Sequence, residues 1–183
     1  LAEEMQGAVM QVRMVPVGSV FQRFPRLIRD LSRKLDKKIR LDLIGEETEA
    51  DKTVVEDLAD PLIHLIRNSI DHGIETKEQR LASGKPEEAC IQLKATQLDD
   101  QVIIEIIDDG KGIDANIIKA KALEKGVLDQ ESFEQISDHE ALQLIFEAGF
   151  STVEKVSDLS GRGVGMDVVR TTIANAGGSV NVQ

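Results

Sequence analysis

Apolar positions along this chain switch between a period near 3.6 and a period of 2, and the switches predict interleaved helices and strands. Residues 2–13 read as a helix that ends before the Met14-Val15-Pro16-Val17 run. Residues 19–36 form a second helical region, with Pro25 marking a break or restart. Ile39–Ile44 alternates apolar and charged residues as a half-buried strand does, and residues 45–52 are acidic and loop-like. A long helical pattern follows over 53–72, with Pro61 as a kink and Gly73 as the left-handed residue that ends it. Residues 76–83 add a short helix. Residues 91–98 and 102–107 read as strands joined by the Asp99-Asp100 turn. Asp114 can cap a helix running to Lys125, with Gly126 as its stop. Residues 138–147 suggest another helix. Residues 148–165 are rich in Gly, Ser and Thr, and a last helix over 164–176 leads through Gly177-Gly178 to a strand over 179–182.

The hairpin makes the sheet mixed, so the pattern as a whole points to an α/β (α+β) sandwich, a sheet covered by helices. There are no internal repeats and no low-complexity tract. The 183 residues suit one domain, or one domain with a short appendage, and can bury a core without covalent staples. The chain starts at Leu1 and ends inside an expected strand, and it is read as a piece of something larger.

Charge then narrows the partners. A formal net charge of −11 argues against nucleic acid or an anionic membrane as the main partner. It leaves room for a polyanionic small ligand, because backbone amides and a metal ion can override net charge locally. A single cysteine, Cys90, cannot form an internal disulfide and is compatible with a reducing cytoplasm. It reads as a small buried strand residue rather than a nucleophile. No signal peptide or membrane-length apolar run is present, so no direct membrane insertion is expected.

Three stretches carry candidate chemistry. The first is the decapeptide from His64 to Gly73, HLIRNSIDHG. At helical spacing His64, Asn68 and Asp71 share one stripe with Arg67 and His72 at its margins, while Leu62, Ile63, Ile66 and Ile70 take the opposite face. A plain solvated face would be expected to carry Lys and Glu. The alternative is a polar helix surface with two ordinary histidines. The second is Asp108-Asp109-Gly110-Lys111-Gly112, directly after an apolar strand. Its two glycines let the backbone approach a ligand, and a carboxylate at the strand end can accept from an exocyclic amine such as that of adenine. A hairpin turn or a calcium loop are the competing readings, weakened by the helix that follows and by the glycines where calcium ligands would stand. The third is Gly161-Arg162-Gly163-Val164-Gly165-Met166-Asp167-Val168-Val169, a glycine-rich loop opening a helix and thus a ready anion site. It is neither a Walker loop nor a good dinucleotide fingerprint. A linker would not run straight into the amphipathic face that follows.

In this order the three stretches resemble the asparagine box and two glycine boxes of the ATPase fold shared by gyrase B, HSP90, MutL and histidine kinases, the Bergerat or GHKL fold. Phe146-Glu147-Ala148-Gly149-Phe150-Ser151-Thr152 is similar to a further box of the histidine kinases, and residues 8–17 add to the likeness. Within the group the chain most resembles the ATP-binding catalytic domain of the CheA family of chemotaxis histidine kinases, over nearly its whole length. The family often has Pro where Ala148 stands. The resemblance implies a mixed, mostly antiparallel sheet covered on one face by helices, a single catalytic domain over 1–183 whose last strand lies beyond the chain, and a linker helix from a dimerisation segment ending in residues 1–13.

It also implies roles. Asp108 would accept from the adenine amino group, with Gly110 and Gly112 giving the base room. Asn68 would offer its amide oxygen to a Mg²⁺ held otherwise by phosphate oxygens and water. The amides of Gly163, Val164, Gly165 and Met166 would cradle phosphates, with Gly161 and Arg162 in the same loop. Arg67 and His72 are candidates for phosphate contacts and Asp71 for support. Phe150, Ser151 and Thr152 complete the nucleotide-binding set, and residues 126–163 would form a mobile lid. ATP and Mg²⁺ are the implied cofactors.

His64 precedes Asn68 by four residues, where hydrolytic relatives carry a Glu that acts as general base. An imidazole there could polarise an incoming nucleophile, and His64 and Asn68 are the candidate catalytic residues. The alternative for His64 is a hydrogen bond to phosphate or to a neighbouring group. His139 lies in an expected first helical turn, so no acceptor histidine is expected in the chain. The resemblance implies a histidine-containing phosphoacceptor domain elsewhere, dimerisation and regulatory domains, a coupling protein and chemoreceptors, and relay to a response-regulator aspartate. The expected function is a cytoplasmic Mg-ATP-dependent protein-histidine kinase domain. An ATP-hydrolysing clamp and a catalytically silent nucleotide-binding module are the alternatives.

Overall fold

The computed structural model describes residues 13–147, 150 and 166–183. The chain forms two compact units, one up to Gly110 and one from Lys111 onward.

In the first unit, β1 (Met14–Pro16) pairs antiparallel with β3 (Glu49–Asp51) in a two-stranded sheet. The acidic stretch at 45–52 thus contains a strand rather than only a loop. Ala50 is buried within it, and three ladder pairs with β1 hold it despite its charged neighbours. The helical region at 19–36 is two helices, α1 (Gly18–Phe21) and α2 (Phe24–Leu35). Pro25 lies in the first turn of α2, where its missing N–H has no intrahelical partner to lose. Val20, Phe21, Phe24, Ile28 and Leu31 from these helices are buried.

A three-stranded sheet has the order β2 (Ile39–Ile44), β4 (Ala89–Leu98), β5 (Gln101–Asp108). The first pair is parallel and the second antiparallel, the mixed sheet that the hairpin implied. Leu98 pairs with Gln101 across the Asp99-Asp100 turn, and Asp99 takes the positive φ that so short a connection demands. Burial alternates with the pleat. Ala89, Ile91, Leu93 and Ala95 are buried on one face, whereas Ile103 and Ile107 on the other are exposed. Because Asp108 pairs with Ile91, it belongs to the covered face at the very end of β5.

The long helix α3 (Lys52–Asn68) starts where Asp51 accepts from the Thr53 amide at 2.8 Å. It runs through Pro61 without ending, and it buries Val55, Ala59, Leu62 and Ile66, each worth about 1.5–3 kcal/mol for the larger side chains. A short helix α4 (Lys77–Ala82) begins with a capping box between Thr76 and Gln79.

In the second unit, α5 (Ala115–Glu124) is capped by Asp114, which accepts from the Asn116 amide at 2.9 Å, and Gly126 takes the left-handed conformation after it. A helix not foreseen, α6 (Gln130–Gln135), is capped by Asp129. The helix expected over 138–147 is α7 (Asp138–Gln143) followed by a 3₁₀ turn over Leu144–Phe146. Ile118, Ala122 and Phe150 form the buried cluster of this unit. The last helix is α8 (Met166–Asn175).

The strand expected over 179–182 does not form. No ladder partner meets it. Instead the Gln143 side-chain amide donates to the Val182 carbonyl at 2.7 Å and accepts from its N–H at 3.2 Å, taking both backbone bonds a neighbouring strand would use. The expected helix over 2–13 lies outside the described residues, apart from Arg13, which is not helical.

Candidate functional site

The decapeptide begins as α-helix and ends as something else. Asn68 is the last residue of α3, and Ser69–Gly73 forms a single π turn, closed by a 2.8 Å bond from the Ile74 amide to the Ser69 carbonyl. A π turn holds one more residue than an α turn and recurs at functional sites. Of the predicted stripe, His64 and Asn68 lie in the regular helix and Asp71 lies within the π turn. His64, Arg67 and Asn68 are half-buried, Asp71 likewise, and His72 is exposed. The Nε2 of His72 stands 3.5 Å from the Asp71 carboxylate. Burial lowers the His64 pKa, and the nearby Arg67 charge lowers it further, so this imidazole is held in its neutral form near pH 7.

Gly73 is not left-handed; it does not belong to the residues with positive φ. The π turn instead passes directly into extended backbone at Ile74, so no reversal is needed. What Gly73 contributes is a missing side chain. A Cβ there would lie 3.8 and 3.9 Å from the two carboxylate oxygens of Asp108. The two boxes, 35 positions apart in sequence, thus meet across bare backbone.

On the strand side, Asp108 Oδ1 accepts from the Gly110 amide at 3.0 Å, which fixes the carboxylate at the strand exit. Gly110 itself is pressed against the π turn: a Cβ on it would stand 2.2 Å from the Gly73 carbonyl oxygen and 2.9 Å from Asp108 Oδ1. Only glycine fits. The positive φ foreseen for this motif occurs at Gly112, not at Gly110.

Several residues that order this region escaped the sequence reading. The Lys37 ammonium donates to the carbonyls of Ile70 at 2.7 Å, Ile74 at 2.8 Å and Asp71 at 3.3 Å, meeting carbonyls at the end of the helix. The Arg80 side chain is 1% exposed and pairs with Glu75 and Asp109, and Lys85 pairs with Glu75. The capping box at Thr76 and Gln79 was the available signal that a helix begins beside Gly73, but a charged residue on a one-and-a-half-turn helix looks like surface from its neighbours alone. Cys90, expected as a small buried strand residue, lies in β4 but is only half-buried, because its side chain is on the polar face with its thiol directed to Asp42 at 3.4 Å. Burial raises its pKa and Asp42 adds to this, which disfavours the thiolate.

In the second unit, the Phe150 ring is buried, with the ammonium groups of Lys121 and Lys125 at 5.3 and 5.7 Å from its centre. Lys125 also donates to the Phe150 carbonyl. Met166 opens α8. Ser151, Thr152, Gly161, Arg162, Gly163, Val164 and Gly165 lie outside the described residues. His139 is exposed in the first turn of α7.

The groups present suit an adenine nucleotide. Asp108 is an acceptor carboxylate held by one oxygen, at the covered end of a strand, facing a position where a Cβ is missing. The amide of Asn68 is a neutral oxygen donor of the kind Mg²⁺ takes alongside phosphate and water.

The mixed sheet and its helices have the fold of the histidine-kinase ATPase domains. The chain belongs to the histidine kinase-, DNA gyrase B-, and HSP90-like ATPase family, whose model matches residues 57–183. Among individual relatives, it is 50% identical over 183 residues to the chemotaxis protein CheA of Bacillus subtilis, covering 100% of this chain and 27% of that protein. It is 54% identical over 179 residues to the sensor histidine kinase CheAY of Helicobacter pylori, covering 98% of this chain and 22% of the relative. The chain thus spans about a quarter of the length of the curated relatives it matches. A mycobacterial sensor histidine kinase, MprB, shares the fold with a TM-score of 0.52 at 16% identity, over 94% of this chain and 85% of the other.

Proposed function

We propose that this chain is the nucleotide-binding catalytic part of a chemotaxis-type protein-histidine kinase. It binds Mg-ATP and passes the γ-phosphoryl group to a histidine on a separate domain, for relay to a response-regulator aspartate. The bond from the γ-phosphorus to the ADP oxygen breaks as a bond to the acceptor imidazole nitrogen forms, and the imidazole gives up a proton. The likeness to chemotaxis kinases at about half identity supports the acceptor class. The observation that carries the nucleotide reading is the meeting of Gly73, Asp108 and Gly110, which leaves an acceptor carboxylate beside bare backbone.

In this reading Asp108 accepts from the adenine amino group, and Gly110 and Gly112 leave room for the base. Asn68 holds Mg²⁺, which would neutralise developing charge on the phosphates. Arg67 and His72 contact phosphate, with Asp71 holding the His72 imidazole. The neutral His64 assists the incoming imidazole. Phe150, Ser151 and Thr152 flank the nucleotide, and the backbone of Gly161, Arg162, Gly163, Val164, Gly165 and Met166 binds phosphate. These last roles rest on resemblance. In this reading the protein works in the cytoplasm, with dimerisation and regulatory domains, a coupling protein and chemoreceptors as the partners that the resemblance implies. No helix of the described residues is long and apolar enough to cross a membrane.

The test measures ATP affinity with and without Mg²⁺ for the wild type, Asp108→Asn and Asn68→Ala, then adds labelled ATP with and without an acceptor domain. Loss of affinity in Asp108→Asn and loss of magnesium dependence in Asn68→Ala are expected. Label appearing on the acceptor histidine supports the kinase. Steady hydrolysis without an acceptor would instead assign an ATP-driven clamp, and binding with no transfer a silent module.

A further inference from the structure

The turn that carries Asp108 is held by a group of four charges that bonds the two residues after it, Asp109 and Gly110, and not the Asp108 carboxylate itself. Arg80 is the centre. Its Nε donates to the Pro86 carbonyl at 2.7 Å, Nη1 to Glu75 Oε1 at 3.2 Å and to the Asp109 carbonyl at 3.3 Å, and Nη2 to Asp109 Oδ2 at 3.2 Å. Lys85 runs alongside. Its Nζ donates to Glu75 Oε2 at 2.8 Å, to the Asp109 carbonyl at 3.1 Å and to the Gly110 carbonyl at 2.9 Å. The other oxygen of Asp109 accepts from the Cys90 amide of β4 at 3.0 Å.

Two cations and two carboxylates therefore tie three pieces of backbone together. Glu75 follows Gly73 by two residues. Asp109 and Gly110 follow Asp108. Cys90 is in the neighbouring strand. The Arg80 side chain is 1% exposed and Glu75 10%, so this pair is shielded from water and from salt, whereas Asp109 and Lys85 reach the surface. A buried guanidinium is costly unless its donors are used, and here all three nitrogens are bonded. What the charges add is direction, since a forked guanidinium sets both distance and angle between the groups it bridges.

The geometry points to Arg80 and Lys85 as positioning residues that set the spacing between Gly73 and the Asp108–Gly110 turn, and so the fit of the base in the nucleotide slot. This rests on the reading of Asp108 as the adenine acceptor. Loosening the clamp lets the turn move away from the π turn. The acceptor carboxylate then meets the exocyclic amine at a poor angle, and the preference for adenine over a purine with a carbonyl in that place falls along with affinity.

The test uses the full chain, with calorimetric titration of Mg-ATP and Mg-GTP into the wild type, Arg80→Lys, Lys85→Met and Asp108→Asn, each checked by thermal melting. Lys85 is about one-third exposed, so Lys85→Met should fold even if the Arg80 variant does not. In Lys85→Met, ATP should bind about tenfold more weakly, and the ATP-over-GTP ratio should fall by a factor of about three or more. A generally weakened fold would lower both nucleotides equally and leave the ratio alone. Wild-type ratios in every folded clamp variant, with a changed ratio in Asp108→Asn, would overturn the clamp while sparing the adenine reading. A wild-type ratio in Asp108→Asn would remove the adenine reading itself, and the inference with it.

Discussion

The carbonyl oxygen of Gly73 faces Gly110 so closely that a single methyl group cannot stand between them, since a Cβ on Gly110 would lie 2.2 Å from that oxygen. The same Gly73 sits under Asp108 with ordinary van der Waals room for a Cβ, at 3.8 Å. The two glycines therefore do different jobs: Gly110 closes a contact that admits no Cβ, whereas Gly73 would accept one and, in the proposed function, leaves room for the nucleotide.

Substituting each by alanine should separate these jobs. Gly110→Ala must push the turn or the helix end, and should lose about 1–3 kcal/mol of stability as well as ATP binding. Gly73→Ala has no backbone strain to create, and should melt near the wild-type temperature while binding ATP more weakly. Thermal melting beside nucleotide titration reads both. Equal melting of the two variants would contradict the assignment.

The neutral state of His64 has a measurable signature. Burial and the Arg67 charge both lower its pKa, so its imidazole should titrate below the ordinary value near ~6.5 when followed by proton NMR. The folded state resists the proton that the unfolded state accepts. The stability tied to His64 is thus complete above ~6.5 and declines as pH falls through the lower folded value. Replacing Arg67 by Ala should move the midpoint upward but leave it below the ordinary value, because burial is the larger cause.

Lys37 should matter more than a surface lysine. Its ammonium bonds three carbonyls of the π turn and the residue after it. Lys37→Met keeps the aliphatic stem and removes the donors. We expect a loss of about 1–3 kcal/mol, with faster amide exchange at Ile74, whose bond to Ser69 closes the turn. Unchanged exchange there would show that the turn holds itself.

The Glu75 carboxylate predicts an acid weakness. Burial alone would raise its pKa, but the Lys85 hydrogen bond, a backbone bond and the Lys85 and Arg80 charges together bring it below the ordinary value. A depressed carboxyl pKa contributes stability above its unfolded value near ~4.3 that is lost as pH falls through the folded one. Glu75→Gln should flatten this part of the stability-against-pH curve measured by urea unfolding. A curve that keeps its slope would place the acid sensitivity elsewhere.

Some of this was legible residue by residue. Period-2 alternation found β2, β4 and β5, and the Asp99-Asp100 turn set their hairpin, because a half-buried strand writes its two faces into adjacent positions. Asp114 and Gly126 marked both ends of α5, because capping is a local matter of side-chain oxygens and positive φ. The order of the three motifs was enough to resemble a family, and the family model bore that out. The residue roles proposed for the site still wait on the experiments above.

Other features depend on partners distant in sequence. A 3.6-residue repeat carried the polar stripe through Asp71, but the π turn at Ser69–Gly73 interrupts it, with Lys37 bonding three carbonyls from 33 to 37 positions away. The expected final strand had the right residues and no neighbour to bond, so Gln143 took its backbone groups instead. Arg80, on a short helix of mostly exposed residues, is buried by ion pairs with Glu75 and Asp109. Thus local spacing by itself determined most elements and the mixed sheet, and the motifs carried the resemblance to the family. Only the tertiary structure decided why Gly110 must be glycine and which charges hold the Asp109–Gly110 turn, because a close approach or a buried ion pair exists only between segments that the fold brings together.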